Sequence, residues 1–245
     1  MNRAKILVIE GTDGSGKQTQ SDGLYNYLIG NGYKVKKYSF PMYDTPTGRI
    51  IGGPYLGKEE YGKSYFPETA ANVDPIVSIL YYAADRRNNF LNEIENEIYQ
   101  NDLIILDRYI ESNMGHQGGK AKTKELRDRL VEFIKELEYV WCELPKPDEV
   151  IFLHMPPEAS KELRKNRTST DGLEGNDEHL RQAEKHYLDL ANQFNWHYVN
   201  CLKSSEYKSI DDIKTPEEIS KDVITIALDL IKREDVPEIR KLTRF

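Results

Sequence analysis

The chain has 245 residues, of which 34 are basic and 41 acidic, so its formal net charge is −7. An acidic chain repels a phosphate backbone, which argues against nucleic acid polymers as partners and leaves small anions held at locally basic sites. No apolar run approaches the length of a membrane span, and the N-terminal residues lack the pattern of a signal peptide, so we expect a cytoplasmic protein without a membrane partner.

Apolar residues recur at spacings typical of strands alternating with helices. Asp74 and Pro75 provide a cap and a first residue for one helix, and Thr215 and Glu218 form a capping box for the last. In chain order we expect strands at 5–10, 34–40, 103–107, 149–154 and 196–200, and helices at 17–29, 76–98, 123–139, from Pro156 and Pro157 onward, at 176–194 and after Thr215. This order predicts an α/β fold with a parallel five-stranded sheet flanked by helices, in a single domain over 1–245.

Two segments lack a clear periodicity. Residues 41–74 are rich in Gly, Pro and Tyr, and residues 167–178 are polar. Loops of this length in a compact domain are usually functional or mobile. We therefore expect an extended loop at 41–74 and a second functional or mobile segment at 167–178.

A glycine-rich turn, GTDGSGK at 11–17, follows the first strand and opens the first helix. This context is typical of a P-loop, because the glycines turn successive N–H groups toward one anion and the helix N-terminus adds its dipole. Lys17 then reaches the β- and γ-phosphates of a bound ATP. The residues expected to bind ATP are Gly11, Asp13, Gly14, Ser15, Gly16, Lys17, Gln18 and Thr19.

The residue after Lys17 is Gln18, where a P-loop usually has a Ser or Thr whose hydroxyl binds Mg²⁺. Two arrangements remain open. Either Thr19 supplies the hydroxyl, or Mg²⁺ is held by phosphates, waters and a carboxylate, which this ion tolerates because it keeps several waters. The P-loop does not identify the phosphoryl acceptor, since motors, GTPases and small-molecule kinases all have one.

Further motifs follow the P-loop in a fixed order. They are Phe40-Pro41 with Thr45 and Gly48, Ala83-Ala84-Asp85-Arg86, Asp107-Arg108-Tyr109 with Ser112-Asn113 and His116-Gln117-Gly118, Leu144-Pro145-Lys146-Pro147-Asp148, and Pro156-Pro157. With the P-loop, from Ile6 to Asn200, these motifs resemble the thymidylate kinase family, nearest to bacterial members with lid arginines. The resemblance implies a P-loop nucleoside monophosphate kinase fold, transfer of the γ-phosphoryl group of ATP to dTMP in dTTP synthesis, a requirement for Mg²⁺, and a homodimer.

The chain departs from the family pattern at three places. Many relatives have an arginine after Phe-Pro, where this chain has Met42, and many have a tyrosine in place of His116. Residues 52–74 are longer than the usual connection. Met42 removes one candidate contact to the acceptor phosphate, so binding of that phosphate must depend on other residues.

The resemblance also implies roles for individual residues. Asp13 accepts a hydrogen bond from the acceptor 3′-hydroxyl, and Asp13 and Asp107 hold Mg²⁺ through water. Arg108 clamps the acceptor phosphate, to which a planar guanidinium donates two hydrogen bonds. Tyr82 stacks on thymine and Arg86 donates to the base. The substrate-binding residues expected are Asp13, Phe40, Tyr82, Arg86, Arg108, Ser112, Asn113, His116 and Gln117.

The family places a mobile lid at about 164–178. Because the interior of this P-loop has no cation, we expect Arg164 or Arg167 to meet the charge on the transferred phosphoryl group. With these two arginines, the expected catalytic residues are Lys17, Asp13, Arg108, Arg164 and Arg167. Asp171 and Glu174 keep the spacing of the lid's acidic pair, although a solvated run of charges has the same pattern.

Two other functions remain as alternatives. A deoxynucleoside kinase would need a carboxylate base for a neutral 5′-hydroxyl, and Glu10 is a candidate for that base. A regulatory nucleotide-binding module would dispense with Lys17 and the lid arginines, which this chain retains. The later motifs favour the monophosphate kinase.

Overall fold

The fold is organised around one parallel β-sheet. The structure is a computed structural model that describes residues 3–67, 70, 72–164 and 177–233. The strands are β1 (Lys5–Gly11), β2 (Val35–Ser39), β3 (Leu103–Asp107), β4 (Glu149–His154) and β5 (His197–Asn200). Their order is β2-β3-β1-β4-β5, and every pairing is parallel. The expected five-stranded α/β sheet is therefore confirmed.

The helices flank the sheet on both faces. They are α1 (Lys17–Gly30), α2 (Pro46–Ile50), α3 (Pro75–Asn89), α4 (Ile110–Gly119), α5 (Lys124–Lys135), α6 (Pro157–Arg164), α7 (Asp177–Gln193) and α8 (Pro216–Lys232). Both expected caps form: the carboxylate of Asp74 accepts from the first turn of α3, and Thr215 and Glu218 close a capping box on α8. None of these helices is long and apolar enough to cross a bilayer.

Two long helices predicted from periodicity are interrupted in the structure. The helix expected at 76–98 is α-helical only to Asn89 and continues as a π-helical turn, Phe90–Ile94, and a 3₁₀ turn, Glu97–Tyr99. The helix expected at 123–139 changes after Lys135 into a π-helical segment, Glu136–Trp141. The apolar period continues through both changes, so periodicity alone did not reveal them.

Two segments contain helices that the periodicity did not predict. Residues 110–119 form α4, although no helix was predicted there. Within 41–74, the chain forms α2 and a π-helical turn, Ile51–Tyr55, which packs with Leu56 and Val73 in a small apolar cluster. The described part of the extended loop is thus folded, and its apolar cluster includes Tyr81 and Tyr82 of α3.

Each face of the sheet has its own apolar layer, because successive side chains of a strand point to opposite sides. On one face, Ile6 and Val8 of β1 pack with α3, α4 and α5. On the other, Leu7 and Ile9 pack with α1 and α8. Both faces are covered, so β1 is buried at the centre of the sheet. The chain leaves β1 toward β2 on one side of the sheet and leaves β3 toward β4 on the other. This change of direction opens a crevice at the carboxyl ends of β1, β2 and β3.

Candidate active site

A cleft of about 530 Å³ lies at the carboxyl ends of these strands. It contains most of the residues predicted from the sequence, brought together from four separate parts of the chain. Those lining it are Asp13, Gly14, Gly16, Lys17, Gln18, Thr19, Phe40, Tyr82, Arg86, Asp107, Arg108, Ser112, Asn113, His116 and Gln117. Gly11 and Ser15 belong to the same turn but lie behind its surface. The part of the cleft lined by the phosphate-binding turn is called the donor end, and the part lined by Tyr82, Arg86, Asn113 and Gln117 is called the base end.

The turn between β1 and α1 has the geometry of an anion cradle. Gly14 and Gly16 adopt positive φ angles of 78° and 82°, which suit glycine. The Lys17 ammonium is buried and donates to the carbonyls of Gly11 and Thr12, at 2.8 and 2.9 Å. Burial, followed by the charge of Arg108, lowers the pKa of Lys17 to about 8. A nucleotide phosphate would replace these carbonyl contacts with a full negative charge.

The same turn is fastened to the end of β4. Thr12 Oγ1 donates to the carbonyl of Met155 at 2.6 Å and accepts from its N–H at 2.9 Å. Ser160 Oγ donates to the carbonyl of Asp13, and a Cβ at Gly14 would lie 2.5 Å from that hydroxyl. The cradle is therefore held in place before any ligand binds.

The residues of the cradle fit the phosphates of a nucleoside triphosphate. Ser15 Oγ is buried in the cradle and has no hydrogen-bond partner among the described residues. Gln18 and Thr19 are both exposed at the mouth of the cleft. Within the described part of the chain, no three His, Cys, Asp or Glu side chains cluster to hold a metal ion. A bound Mg²⁺ would thus need phosphate oxygens and waters in addition to a protein carboxylate.

Arg108 and Asp13 meet in the middle of the cleft. Arg108 Nη2 donates to Asp13 Oδ1 at 3.1 Å. Burial opposes ionisation of Asp13, but the charges of His116, Arg108 and Lys17 outweigh it and hold the pKa of Asp13 below its ordinary value. Arg108 has a φ of 65°, a conformation rare outside glycine and typical of functional sites. Asp107, one residue earlier, is buried, and among the described residues its carboxylate accepts only a long hydrogen bond of 3.5 Å from Ser39 Oγ.

A buried carboxylate, Glu10, holds the residues that follow Arg108. Glu10 accepts hydrogen bonds from the Tyr109 N–H at 3.0 Å, Ser112 Oγ at 2.6 Å and the Tyr187 hydroxyl at 3.3 Å. It is fully buried and does not line the cleft. Glu10 is consequently placed to fix the segment after β3, and its burial disfavours the alternative in which it acts as a base for a nucleoside.

At the base end of the cleft, Arg86 is held by Glu138, a residue that sequence analysis did not identify. Its Nε and Nη2 donate to the two carboxylate oxygens of Glu138, at 2.5 and 2.7 Å, and its Nη1 donates to the Tyr109 carbonyl at 3.2 Å. Asn113 Nδ2 also donates to Glu138 at 2.9 Å. Gln117 Oε1 is buried without a partner among the described residues, so one acceptor remains available there.

Aromatic rings form the walls of this end. Phe40 is buried against Tyr109, with ring centroids 6.0 Å apart. Tyr82 is partly buried and meets the ring of Tyr55 edge-on at 5.7 Å. Both Phe40 and Tyr82 line the cleft, so either ring can pack against a planar base.

Sequence analysis also missed two residues from the long segment after β2. Lys58 and Tyr43 line the cleft, and the Lys58 ammonium lies 4.6 Å from the centroid of the Tyr43 ring. The only available signal was a basic side chain within a connection longer than usual.

The predicted lid is outside what the structure describes. Arg167, Asp171 and Glu174 lie among residues 165–176, beyond the described ranges. Arg164 is the last residue of α6, and the position of its side chain is not described. The expected roles of both arginines therefore stay predictions.

Comparisons of the sequence with known proteins all match the same family. A family model described as thymidylate kinase matches residues 9–212. A thymidylate kinase of Prochlorococcus marinus strain AS9601 is 31% identical over 206 residues, covering 82% of this chain and 90% of that protein. A probable thymidylate kinase of Pyrobaculum aerophilum is 30% identical over 228 residues, covering 93% and 96%.

Solved structures agree at the level of the fold. The thymidylate kinase of Candida albicans superposes with a TM-score of 0.65 at 23% identity, covering 95% of this chain and 96% of the other. That of Ehrlichia chaffeensis gives 0.61 at 21% identity, covering 92% and 99%.

Proposed function

The chain belongs to the thymidylate kinase family and is a nucleoside monophosphate kinase that phosphorylates dTMP; from this premise we propose how its cleft performs the transfer. One observation carries the proposal. The P-loop and Arg86 line one cleft, and the segment after β3 connects them: Arg108 donates to Asp13 of the P-loop, and the carbonyl of Tyr109 accepts from Arg86. A donor triphosphate and an acceptor nucleotide can therefore meet end to end, with the reacting phosphates beside Arg108.

The chemistry requires alignment and charge neutralisation more than covalent participation by the protein. In our proposal, Lys17, Ser15 and the N–H groups of the turn hold the γ-phosphoryl group of ATP, and Arg108 holds the acceptor phosphate. The attacking phosphate oxygen of dTMP is already anionic at neutral pH, so no side chain has to remove a proton. Mg²⁺, when bound, supplies further neutralisation of the donor phosphates.

Asp13 and the base-end residues would position the acceptor. The Asp13 carboxylate is held ionised beside Arg108 and can accept from the sugar 3′-hydroxyl or from a water on Mg²⁺. Arg86, fixed by Glu138, and Gln117, with its free acceptor, are suited to the polar edge of thymine. Phe40 or Tyr82 would pack on its face.

A further cation is expected at the transferred phosphoryl group. We propose Arg164 or Arg167 for this role because the described interior of the turn offers none besides Lys17. The support for this step is the family resemblance and the general need to neutralise charge at the transition state.

A comparison of acceptors tests the function directly. ADP release should be measured with dTMP, dUMP, other nucleoside monophosphates and thymidine. We expect dTMP to be preferred and thymidine to be inactive. Lys17→Ala should lower kcat by at least roughly 100-fold, because one charged transition-state contact contributes several kcal/mol. Phosphorylation of thymidine in place of dTMP, or normal turnover by K17A, would overturn the proposal.

We also propose that the enzyme is a cytoplasmic homodimer. The support is the exposed apolar face of α3, where Ile76, Val77 and Leu80 are each more than a third exposed in the single chain. A second copy of the chain would cover this face.

A further inference from the structure

The cations of the cleft differ in how far their charges are already compensated. Arg86 is neutralised by Glu138, and Arg108 is paired with Asp13. Lys17 lies in the P-loop cradle, at the donor end. Lys58 also lines the cleft but forms no ion pair with any residue that the structure describes. Lys17 forms no ion pair with a described residue either, but its ammonium donates to the carbonyls of Gly11 and Thr12, whereas that of Lys58 donates to no described acceptor. Lys58 therefore presents the least compensated positive charge among these four.

The backbone around Lys58 is held in a tight arrangement. Its N–H donates to the carbonyl of Gly52 at 2.8 Å, and its carbonyl accepts from Tyr61 and Gly62 at 2.9 and 3.0 Å. A Cβ at Gly53 would lie 2.2 Å from the carbonyl oxygen of Tyr61, so the backbone at Gly53 packs directly against the backbone at Tyr61. The position of Lys58 is consequently fixed by the fold of the long segment.

The side chain of Lys58 is also oriented. Its ammonium lies 4.6 Å from the centroid of the Tyr43 ring, and Tyr43 stacks on Tyr61 with centroids 5.4 Å apart. A cation over a ring is attracted by the ring's quadrupole but keeps its full charge. Lys58 is thus aimed into the cleft while remaining able to bind an anion.

The segment that contains Lys58 packs against the helix of the predicted base-binding residues. Tyr43, whose ring is next to the Lys58 ammonium, and Leu56 belong to the same small apolar cluster as Tyr82. The N–H of Met42 donates to Asp85 Oδ2 at 3.0 Å, one residue before Arg86. Lys58 is therefore on the side of the cleft where the acceptor nucleotide is expected.

We propose that Lys58 binds the phosphate of the acceptor nucleotide. The inference rests on the proposed function of the cleft. It assigns the lengthened segment after β2 to acceptor binding. An ammonium serves as a point charge on a phosphate, without the bidentate geometry of an arginine.

The test compares ligands with and without the phosphate. Lys58→Met keeps most of the apolar stem and removes the charge. Calorimetric titration should show the affinity for dTMP falling roughly 10- to 100-fold, as expected for one charge-assisted contact, while the affinity for thymidine is unchanged. In steady-state assays, the KM for dTMP should rise and the KM for ATP should not.

Two matched variants complete the experiment. Lys63→Met removes a positive charge from an exposed position of the same segment and should leave dTMP affinity unchanged. Lys58→Arg restores the charge and should recover most of the affinity lost in K58M. An equal loss for dTMP and thymidine, a loss confined to ATP, or dTMP affinity unchanged in K58M would each overturn the inference.

These outcomes are distinguishable from failure of the proposed function. If the unmodified enzyme phosphorylates dTMP and K58M binds dTMP normally, only the role of Lys58 is wrong. If the unmodified enzyme does not phosphorylate dTMP at all, the function itself is wrong.

Discussion

At the scale of single residues, the base end of the cleft depends on one buried ion pair. Arg86 and Glu138 are both almost fully buried and share two hydrogen bonds. Removing one partner of such a pair leaves a buried charge uncompensated and typically costs about 3–5 kcal/mol. Glu138→Gln should therefore lower the free energy of unfolding by about that amount in urea titrations, and should raise the KM for dTMP more than that for ATP.

The neighbouring pair of the same type provides the control for this variant. Arg87 and Glu143 are 3.5 Å apart at the surface, with about a quarter of each side chain exposed. Glu143→Gln should change stability by less than about 1 kcal/mol. Equal effects of E138Q and E143Q would contradict the structural role of Glu138.

Glu111 should give the protein an unusual pH dependence. Burial raises the pKa of Glu111 to about 7 from an ordinary value of 4.5. Between those values the folded state binds more protons than the unfolded state, so this group's contribution to stability is lost as pH rises from 4.5 to 7. Glu111→Gln should thus gain stability relative to the unmodified protein by about 3 kcal/mol across that window, measured by denaturation at pH 4.5 and 7.5.

His186 acts in the opposite sense and sharpens this test. Burial lowers the pKa of His186 to about 4 from 6.5, so stability rises as pH increases from 4 to 6.5. In the unmodified protein the two slopes largely cancel between pH 4.5 and 6.5. E111Q should expose the rising slope of His186, and an E111Q curve parallel to that of the unmodified protein would refute the assignment.

Residues within short sequence motifs could be predicted, whereas the residues distant in the chain that hold them in place could not. The P-loop and the segment Asp107-Arg108-Tyr109 are contiguous in the chain, so their chemistry can be recognised locally. Glu138 lies 52 residues from Arg86 and within a helical segment rich in acidic side chains. Only the folded chain shows that this one carboxylate points inward.

At the scale of elements, α4 shows tertiary packing overriding local propensity. It contains three glycines, and no helix was predicted there. The packing of α7 explains them: a Cβ at Gly115 would lie 2.2 Å from the Tyr187 ring, and one at Gly118 would lie 2.3 Å from His186 Nε2. The helix forms because its glycines let α7 approach closely, a benefit invisible to single-sequence propensity.

The exposed face of α3 leads to a prediction about assembly. Leu80 is 49% exposed, and we expect a second copy of the chain to cover it. Leu80→Asp should convert a dimer into a monomer in sedimentation equilibrium at micromolar concentration, because a buried charge at an apolar interface is unfavourable. Leu126 of α5 is 44% exposed, so Leu126→Asp is the matched control and should remain dimeric. An unmodified protein that is already monomeric would contradict the proposal.

At the scale of the whole molecule, alternation of strands and helices was sufficient to predict a parallel sheet, but not the order of its strands. The order β2-β3-β1-β4-β5 follows from how apolar layers pack on the two faces, which involves contacts between distant parts of the chain. The site could be located because P-loop and strand-end residues converge wherever β1 and β3 are neighbours. The contribution of residues 41–74 to the site could not be predicted, since that segment lacks periodicity.

The central position of β1 determines how often its backbone hydrogen bonds open. Its backbone is bonded to β3 on one side and β4 on the other, whereas β2 and β5 are edge strands. Amide hydrogens of β1 should therefore exchange with deuterated solvent only through global unfolding, and those of the segment around Lys58 through smaller local openings. Addition of dTMP should slow exchange strongly in that segment and only slightly in β1. The strand that precedes the phosphate loop would thus open rarely. The segment around Lys58 would open more often, and bound dTMP would slow its opening.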